Sequence, residues 1–344
     1  ATVNSVSNSG VNSLGGIFGY VENATIKNLE TVGGDIYGTI SGGVVAMSNG
    51  SITLLNVENR NNVTGEQIAG GIIGKIQSEN VSNASIVIEN CINHGDIDHQ
   101  NTNYSKDAEI SLGGIIGSVN SNATGRVFNE LYNDGTIIAI NNRTSYSGSQ
   151  IKIELNVGGI IGNVSQDGDR YNELNNYGNI DITTNAHTLN VGGVIGITKK
   201  QAVITHSKNY ASINISYNNI YSEGRNKIYK STAMVGGVIG RAQHTIISCG
   251  NEGKIEFNLG ASSSAFIGIG GAVGTTVADV QKSYNANNIE VYTITRATKV
   301  VIGGVVGGVE ITSQNREVSN CYNSGDVQAT SSSKMFAGGI VGSS

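Results

Sequence analysis

The six residues Val157-Gly158-Gly159-Ile160-Ile161-Gly162 decide the fold, because near-copies of this glycine phrase recur along the whole chain. The first glycines of successive copies lie about 36 residues apart on average, a period that marks solenoids and other stacked arrays. The sequence therefore predicts a repeat array in which each copy belongs to one structural unit. The ten copies are Leu14–Gly19, Ser41–Ala46, Ala69–Gly74, Leu112–Gly117, Val157–Gly162, Val191–Gly196, Val235–Gly240, Ile269–Gly274, Ile302–Gly307 and Ala337–Gly342.

A second phrase, Asn-x-Gly-x-Ile, follows most copies of the glycine phrase, as in Asn93-His94-Gly95-Asp96-Ile97. Each unit thus has two fixed corners. Stacked units place the corner asparagines in a column, where their amides can hydrogen-bond to one another and to the turn backbone. A row of surface ligands for a metal or a sugar is the functional alternative. We predict an internal asparagine ladder formed by Asn93, Asn133, Asn176, Asn209, Asn251, Asn285 and Asn323.

Local chemistry predicts β-strands between the corners. Segments such as Ile151-Lys152-Ile153-Glu154-Leu155 alternate or run apolar with β-branched residues, and Gly and Asn punctuate them. Three short strands per unit describe an all-β parallel β-helix, or β-solenoid. About ten coils spaced by about 4.8 Å would make a rod about 50 Å long. We predict a single β-helix domain over residues 1–344, with irregular first coils in 1–65 and regular coils in 66–344.

Composition argues against several function classes. The chain has 48 glycines, no proline, no tryptophan and five phenylalanines, which suits strands and tight turns. Its net charge of -5 offers no general attraction to nucleic acid, which requires clustered Lys and Arg. No run of about 20 apolar residues occurs. We expect no nucleic-acid partner, no membrane insertion and no cofactor.

The three cysteines share one column, two residues before the ladder asparagines, where other units carry Leu or Ser. Small or apolar occupants predict an inward-facing position, at which a free cysteine behaves as a small hydrophobic residue. Cys249 and Cys321 are two coils apart, beyond the reach of a disulfide. We therefore predict free, buried thiols at Cys91, Cys249 and Cys321.

The glycine phrase carries apolar side chains on both faces of an extended strand. Val157 and Ile161 point to one face, and Ile160 points to the other. Such a strand is either covered on both faces or bent so that both apolar columns point inward. If neither applies, the column of Ile160 is a flat apolar stripe and a candidate contact surface.

The two phrases together resemble a known repeat. Val301–Gly307, followed by Asn320-Cys321-Tyr322-Asn323-Ser324-Gly325-Asp326-Val327, is similar to the GLUG motif repeat of bacterial surface proteins. In that family the phrases read roughly G-G-L-V-G and N-C-Y-x-T-G-x-V, and the repeats occur in adhesins and in non-catalytic parts of immunoglobulin-A-cleaving metallopeptidases. The resemblance covers about residues 66 to 344, with Ile in place of the family's Leu and a wider spacing. It implies a non-catalytic repeat architecture at the cell surface.

No recognisable catalytic motif is present. The acidic residues are scattered, whereas glycoside hydrolysis needs two carboxylates a few ångströms apart. The spacings His-Glu-x-x-His, Gly-x-Ser-x-Gly and Cys-x-x-Cys do not occur. His94 and His99 lack further zinc ligands nearby and are expected to be exposed loop residues. We predict no enzyme activity and no metal site; a polysaccharide-active enzyme would need an acidic cluster formed across neighbouring coils.

Loops of unequal length suggest where a partner binds. The excursions over 135–158 and 211–236 are long, and the excursion over 178–192 between them is short. Two ridges would then flank a groove about 10 Å wide. Tyr on the ridges could stack on sugars, and Arg or Lys could hold acidic groups. Ordinary solvated loops are the alternative. The predicted ligand-binding residues are Arg143, Tyr146, Tyr217, Tyr221, Arg225, Lys227, Tyr229 and Lys230.

These observations predict an extracellular role. The chain opens with Ala-Thr-Val-Asn and not with Met, as a processed secreted protein or an excised fragment would. The leading hypothesis is a non-enzymatic, secreted or cell-surface β-helix, a structural stalk or adhesin whose loops bind a host or matrix glycan or protein. The alternative is a filament subunit, in which identical subunits stack end to end through exposed strand edges.

Overall fold

A computed structural model describes residues 3–4, 13–78, 84–100, 107–121, 123, 126–141, 152–165, 169–199, 202–218, 231–260, 265–293, 299–310, 316–331 and 334–343. These residues form parallel strands in two large sheets and contain no helix. The ten glycine phrases stack on one another in chain order. The predicted parallel β-helix of about ten coils is confirmed.

Sheet 1 contains 18 strands. They are Val3–Asn4, Leu14–Gly15, Gly34–Gly42, Asn61–Gly70, Ile97–Gln100, Ala108–Gly113, Ile137–Asn141, Ile153–Gly158, Ile180–Thr184, Thr188–Gly192, Ile213–Tyr217, Ser231–Gly236, Ile255–Leu259, Ala265–Gly270, Ile289–Thr293, Lys299–Gly303, Val327–Ser331 and Met335–Gly338.

Sheet 2 contains 21 strands. They are Phe18–Glu30, Val45–Asn59, Ile73–Ser78, Ile86–Asn93, Ile116–Ser121, Val127–Asn133, Ile161–Val164, Asp169–Asn176, Ile195–Thr198, Ala202–Thr205, Lys208–Asn209, Ile239–Ala242, Thr245–Ile247, Gly250–Asn251, Val273–Thr276, Val280–Gln281, Tyr284–Asn285, Val306–Val309, Val318–Ser319, Tyr322–Asn323 and Val341–Ser343.

Each regular coil crosses between the two sheets twice. One coil runs through Ile137–Asn141 and Ile153–Gly158 in sheet 1 and then through Ile161–Val164 and Asp169–Asn176 in sheet 2. A regular coil therefore has at least four strand segments, and the predicted number of three is wrong. The two phrases mark only the crossings between sheets.

The two crossings divide the coil into two lobes, each with its own hydrophobic core. The core of lobe 1 is lined by sheet 1 and includes Leu155 and Phe257. The core of lobe 2 is lined by sheet 2 and includes Phe128, Ile161 and Leu174. Inward side chains recur at every second strand position, as expected for a strand with one buried face. The same register repeats from coil to coil, so each core is continuous along the solenoid axis.

The lobes meet at a waist, where the glycine corner touches the asparagine corner. A Cβ atom added to Gly159 would lie 1.9 Å from the carbonyl oxygen of Gly193 in the next coil and 2.4 Å from Cγ of Asn176. Both distances are far shorter than any real contact, so only glycine fits at this position. The second glycine of most other copies meets the same two obstacles, and this explains why the phrase recurs.

A bend within the glycine phrase turns both of its apolar columns inward. Ile160, Val194 and Val238 belong to the column that could have faced solvent, and all three are fully buried in the core of lobe 2. Of the alternatives open at the sequence level, the inward bend is therefore confirmed. Only the terminal members of the column are exposed, Ile17 to 46% and Ile340 to 36%.

The predicted asparagine ladder is confirmed and is longer than expected. Each amide nitrogen donates one hydrogen bond of 2.7–2.9 Å to Oδ1 of the next ladder asparagine. It donates a second, of 2.6–2.8 Å, to the carbonyl oxygen two residues further along the chain. Asn59 extends the ladder by one coil, and Thr31 Oγ1 begins it with a 3.0 Å bond to Asn59. Because the amides are buried in the waist and use their donors within the fold, a row of metal or sugar ligands at these positions is wrong.

A third fixed position lies three residues before each ladder residue. There the backbone adopts the left-handed conformation, with φ between 49° and 57°. For most side chains this conformation costs about 1–2 kcal/mol, whereas Asn tolerates it better. Several coils nevertheless carry other residues at this position, including Glu130, Glu173 and Lys282. The full column is Asn28, Asn56, Asn90, Glu130, Glu173, His206, Ser248, Lys282 and Asn320.

Replacing Glu173 by asparagine is expected to stabilise the fold by about 0.5–1 kcal/mol, because Asn fits the left-handed backbone better than Glu. Chemical denaturation followed by circular dichroism would measure the change in the free energy of unfolding. The matched control is Glu173→Ala, which removes the same charge but keeps a side chain unsuited to this conformation. Equal stabilisation by both variants would attribute the gain to charge and contradict the backbone explanation.

The cysteine column lies in the core of lobe 2, as predicted. Cys91 and Cys249 are fully buried and Cys321 is half-buried, and all three are free thiols. Burial raises the pKa of Cys91 and of Cys249 to about 12. Both thiols are therefore protonated at neutral pH and act as small apolar side chains.

Candidate binding surface

Most of the predicted loop site cannot be placed. Seven of its eight residues lie outside the described residues, namely Arg143, Tyr146, Tyr221, Arg225, Lys227, Tyr229 and Lys230. The eighth prediction, Tyr217, is wrong. Its side chain is fully buried, and its hydroxyl donates a 2.8 Å hydrogen bond to the carbonyl oxygen of Ala186. Tyr217 points inward because it shares a strand face with Ile213 and Ile215.

The expectation for His99 fails for the same reason. His99 follows Ile97 by two residues on a sheet 1 strand and is fully buried, with Nδ1 2.8 Å from the carbonyl oxygen of Gly65. Burial lowers its pKa, so the ring is neutral in the folded protein at neutral pH. His94, by contrast, is half-exposed at the asparagine corner, as part of a surface row described below.

The outward side chains directly before and after each ladder residue form a continuous row, which we call the corner strip. Its C-terminal half is aromatic. Tyr177 and Tyr210 stack with ring centroids 4.6 Å apart and planes 2° apart. Tyr284 and Tyr322 stack with centroids 5.1 Å apart and planes 3° apart. Tyr132 adds a fifth ring in the coil before Tyr177. The aromatic half of the strip therefore spans six coils, or about 24 Å.

Lys208 and Glu252 join the two stacked pairs. Lys208 Nζ lies 5.8 Å from the ring centroid of Tyr210 and 6.0 Å from that of Tyr284. The hydroxyl of Tyr284 donates a 2.6 Å hydrogen bond to Glu252, which lies 3.8 Å from Lys208. Gly250 makes this possible, because a Cβ atom there would lie 2.3 Å from the ring of Tyr284. The ring thus folds back over a neighbouring coil and closes the gap in the row.

The strip presents neutral phenols to solvent. Tyr177 and Tyr322 are exposed to 47% and 55%. Partial burial and the neighbouring Tyr210 raise the pKa of Tyr177. Partial burial and the carboxylate of Glu252 raise the pKa of Tyr284 to about 12. Since the paired rings cover each other's faces, the surface available to a partner consists of ring edges and hydroxyl groups.

The N-terminal half of the corner strip is ionic. His94 lies between two carboxylates, with Nε2 3.0 Å from Glu58 and Nδ1 2.9 Å from Asp134. Arg60 pairs with Glu58 and, at 2.9 Å, with Glu30. These groups come from successive coils and pair with one another along the axis. The charged groups of the ionic half therefore contact one another, and the aromatic half is the better candidate for contact with a partner.

The structure does bring carboxylates together across coils, which linear spacing could not reveal. Glu109 and Glu154 are register partners in neighbouring coils beside a cavity of about 390 Å³. Lys199 Nζ lies 2.8 Å from Glu109 and 3.2 Å from Glu154. Burial opposes the charge of Lys199, but its hydrogen bonds to the two carboxylates outweigh burial and raise its pKa.

A second cross-coil pair has the same construction. Glu256 and Glu290 are register partners, and Lys254 Nζ lies 3.2 Å from Glu256 and 2.9 Å from Glu290. Hydrogen bonds from Asn258 and Lys254 lower the pKa of Glu256. Glycoside hydrolysis needs one carboxyl group that keeps its proton beside one that does not. In both pairs one lysine ammonium contacts the two carboxylates alike, and nothing in the geometry distinguishes one carboxyl group as the acid. Nor does any group of three His, Cys, Asp or Glu side chains within the described ranges hold the geometry of a metal site.

The corner strip had a sequence signal. A tyrosine directly precedes or follows the ladder asparagine in five copies of the second phrase, at Tyr132, Tyr177, Tyr210, Tyr284 and Tyr322. Residues at a fixed offset from a stacked asparagine must themselves stack, so the row could have been read from the alignment of the copies.

Comparisons of the chain with family models, with curated proteins and with solved structures found no match. Within the described ranges there is no helix long and apolar enough to cross a membrane.

Proposed function

We propose that this protein is a non-enzymatic, extracellular structural β-solenoid, a stiff stalk that binds a glycan or protein partner along its side. The corner strip carries the proposal. Tyrosine is enriched in binding surfaces because it combines a large apolar ring with a polar tip. Here five of the chain's 14 tyrosines lie in one exposed row, outside both cores.

Two further observations support the stalk. The asparagine ladder and the waist glycines connect every coil to the next, which makes the solenoid one continuous body along its axis. The cross-coil carboxylate pairs are each held by a lysine, an arrangement that stabilises charge and does not prepare an acid for catalysis. The resemblance to GLUG repeats of surface proteins agrees with an extracellular location.

Replacing Tyr177 by alanine is expected to weaken partner binding about tenfold, the effect of losing one well-placed aromatic contact. The measurement is binding of the purified chain to an array of neutral and sulfated glycans without uronate units and to immobilised fibrillar matrix proteins. The matched control is Tyr292→Ala, which removes a tyrosine of 40% exposure on the outer face of sheet 1. Equal losses in both variants, or no binding by the unaltered chain, would contradict the proposal.

A further inference from the structure

A groove runs along the waist on the side of the glycine corner, opposite the corner strip. One wall is an outward column of sheet 2. It has one residue from each coil, five positions after the first glycine of the phrase. Its members are Lys75, Ser118, Asn163, Ile197, Arg241, Thr275, Gly308 and Ser343. The other wall is the outward column of sheet 1 that contains Met234, Gly268, Val301 and Phe336.

The sheet 2 column has a side chain beyond Cβ at every position except Gly308, and a cavity of about 410 Å³ opens there. The fold does not require glycine at this position. A Cβ atom added to Gly308 would make ordinary contacts, 3.5 Å from Val301 and 3.6 Å from Thr275. The fold requires glycine at position 159 but not at position 308. The missing side chain of Gly308 leaves the space that forms the cavity. The volume falls in the range of about 300–1,000 Å³ that small-molecule sites occupy.

The chemistry of the cavity is mixed. Val309 and Phe266 supply apolar surface, and Ser343 supplies a hydroxyl group, whereas Val301 and Thr275 line the cavity as buried side chains. The carboxylate in the lining is already engaged. Glu310 accepts two 3.0 Å hydrogen bonds from Arg241, which reaches it from two coils away, and a 3.3 Å bond from Thr275.

Lys299 is the cation of the cavity, and no carboxylate of the described residues pairs with it. Its ammonium lies 5.9 Å from the ring centroid of Phe266, 5.1 Å from that of Phe336 and 3.3 Å from the hydroxyl of Ser343. The ammonium of Lys334 lies 5.3 Å from the centroid of the same Phe336 ring. Arg241 already pairs with Glu310, so the two lysines at the ring of Phe336 leave an excess of positive charge here, although the whole chain carries a net charge of -5. The local excess of positive charge suits an anionic ligand.

We propose that this cavity binds a uronate unit of an acidic polysaccharide, with the sugar carboxylate on Lys299. A pyranose ring offers C–H surface to Val309 and Phe266 and hydroxyl groups to Ser343 and Glu310. An acidic peptide fits less well, because its backbone N–H and C=O groups need partners and the strands lining the groove use their own backbone groups within the sheets. The polymer lies along the groove, parallel to the solenoid axis.

The test is isothermal titration of the full chain with a galacturonate tetramer, a galactose tetramer and an Asp-rich peptide. We expect the galacturonate tetramer to bind at least about tenfold more tightly than the other two. Gly308→Leu fills the cavity and is expected to weaken galacturonate binding by at least about tenfold, as is Lys299→Met. Lys75→Met is the control, because it removes a lysine of the same groove several coils away from the cavity. It is expected to bind as the unaltered chain does, and thermal melting checks that all variants fold.

Unchanged binding in Gly308→Leu or in Lys299→Met overturns the proposal, and so does equal or tighter binding of the galactose tetramer or of the peptide. The proposal does not depend on the corner strip. Tyr177→Ala is therefore expected to bind the galacturonate tetramer normally, which separates a failure at this cavity from a failure of the proposed contact surface on the other side of the waist.

Discussion

Replacing Gly159 by alanine is expected to cost more than about 4 kcal/mol of stability, an effect of the size reserved for severe steric or burial defects. The added methyl group would lie 1.9 Å from the carbonyl oxygen of Gly193 and 2.4 Å from Cγ of Asn176. Neither obstacle can move alone, because the carbonyl belongs to the next coil and the amide belongs to the ladder. The waist must open, and opening it separates neighbouring coils.

The measurement is thermal and chemical unfolding combined with hydrogen exchange along the chain. In a solenoid each coil contacts mainly its neighbours, so a defect in the middle is expected to uncouple the coils on its two sides into separate transitions. Gly308→Ala is the matched control, since the same methyl group makes only ordinary contacts there, and its stability is expected to stay within about 0.5 kcal/mol. If the two variants unfold alike, the waist is not the tight contact described above.

The second large effect is expected from Asn176→Ala, at about 4 kcal/mol, because three buried groups lose their partners at once and each costs about 1–3 kcal/mol. The amide of Asn133 loses its acceptor, and Oδ1 of Asn209 is left without the donor that reached it at 2.9 Å. The carbonyl oxygen of Gly178 loses a 2.8 Å hydrogen bond. Denaturant titration of the variant would measure the loss.

Two further variants show whether the amide donors are responsible. Asn175→Ala is the control next door, since Asn175 makes only a 3.4 Å bond to the carbonyl oxygen of Glu173, and its cost is expected to stay below about 0.5 kcal/mol. Asn176→Asp keeps the size and the acceptor but removes both donors, and is expected to be as damaging as Asn176→Ala at neutral pH. A mild effect of Asn176→Asp would refute the ladder as a source of stability.

The repeat and its ladder could be predicted because both are properties of register. A residue type that returns once per coil must stack on itself, so the positions of Asn93 through Asn323 in the sequence were enough to place them in one column. The glycine phrase predicted the repeat equally well, but the sequence did not show why glycine is required there. That Gly159 packs against Asn176 follows only from the waist, which no pairwise spacing in the sequence reveals.

The division of the coil into two lobes escaped prediction because a strand apolar on both faces has several explanations. Ile160 could have been covered, exposed or turned inward, and only the bend at the glycines decides between these. The left-handed column was hidden for another reason. Glu130, Glu173 and Lys282 hold a conformation that their chemistry does not favour, since tertiary contacts override local preference there.

The candidate surface shows a different kind of error. Loop length predicted a ridge position for Tyr217, although its alternation with Ile213 and Ile215 indicates a core position. The stacked tyrosines lie instead at the asparagine corners, where the chain varies least in length. In a stacked fold a surface row of side chains is most regular next to the positions that cannot shift, and the corner strip is beside the ladder for that reason.

The ladder also gives the molecule a direction. Every bond in it, from Thr31 to Asn323, has its donor in the earlier coil and its acceptor in the later one, so the amide dipoles align along the axis and polarise one another. The two stacking surfaces of any stretch of coils are therefore unlike, one offering acceptors and the other donors. A two-fold symmetric contact between like ends would oppose these dipoles. Any coil that extends the column must present its acceptors to the donors of the coil before it, so the ladder can grow in one orientation only.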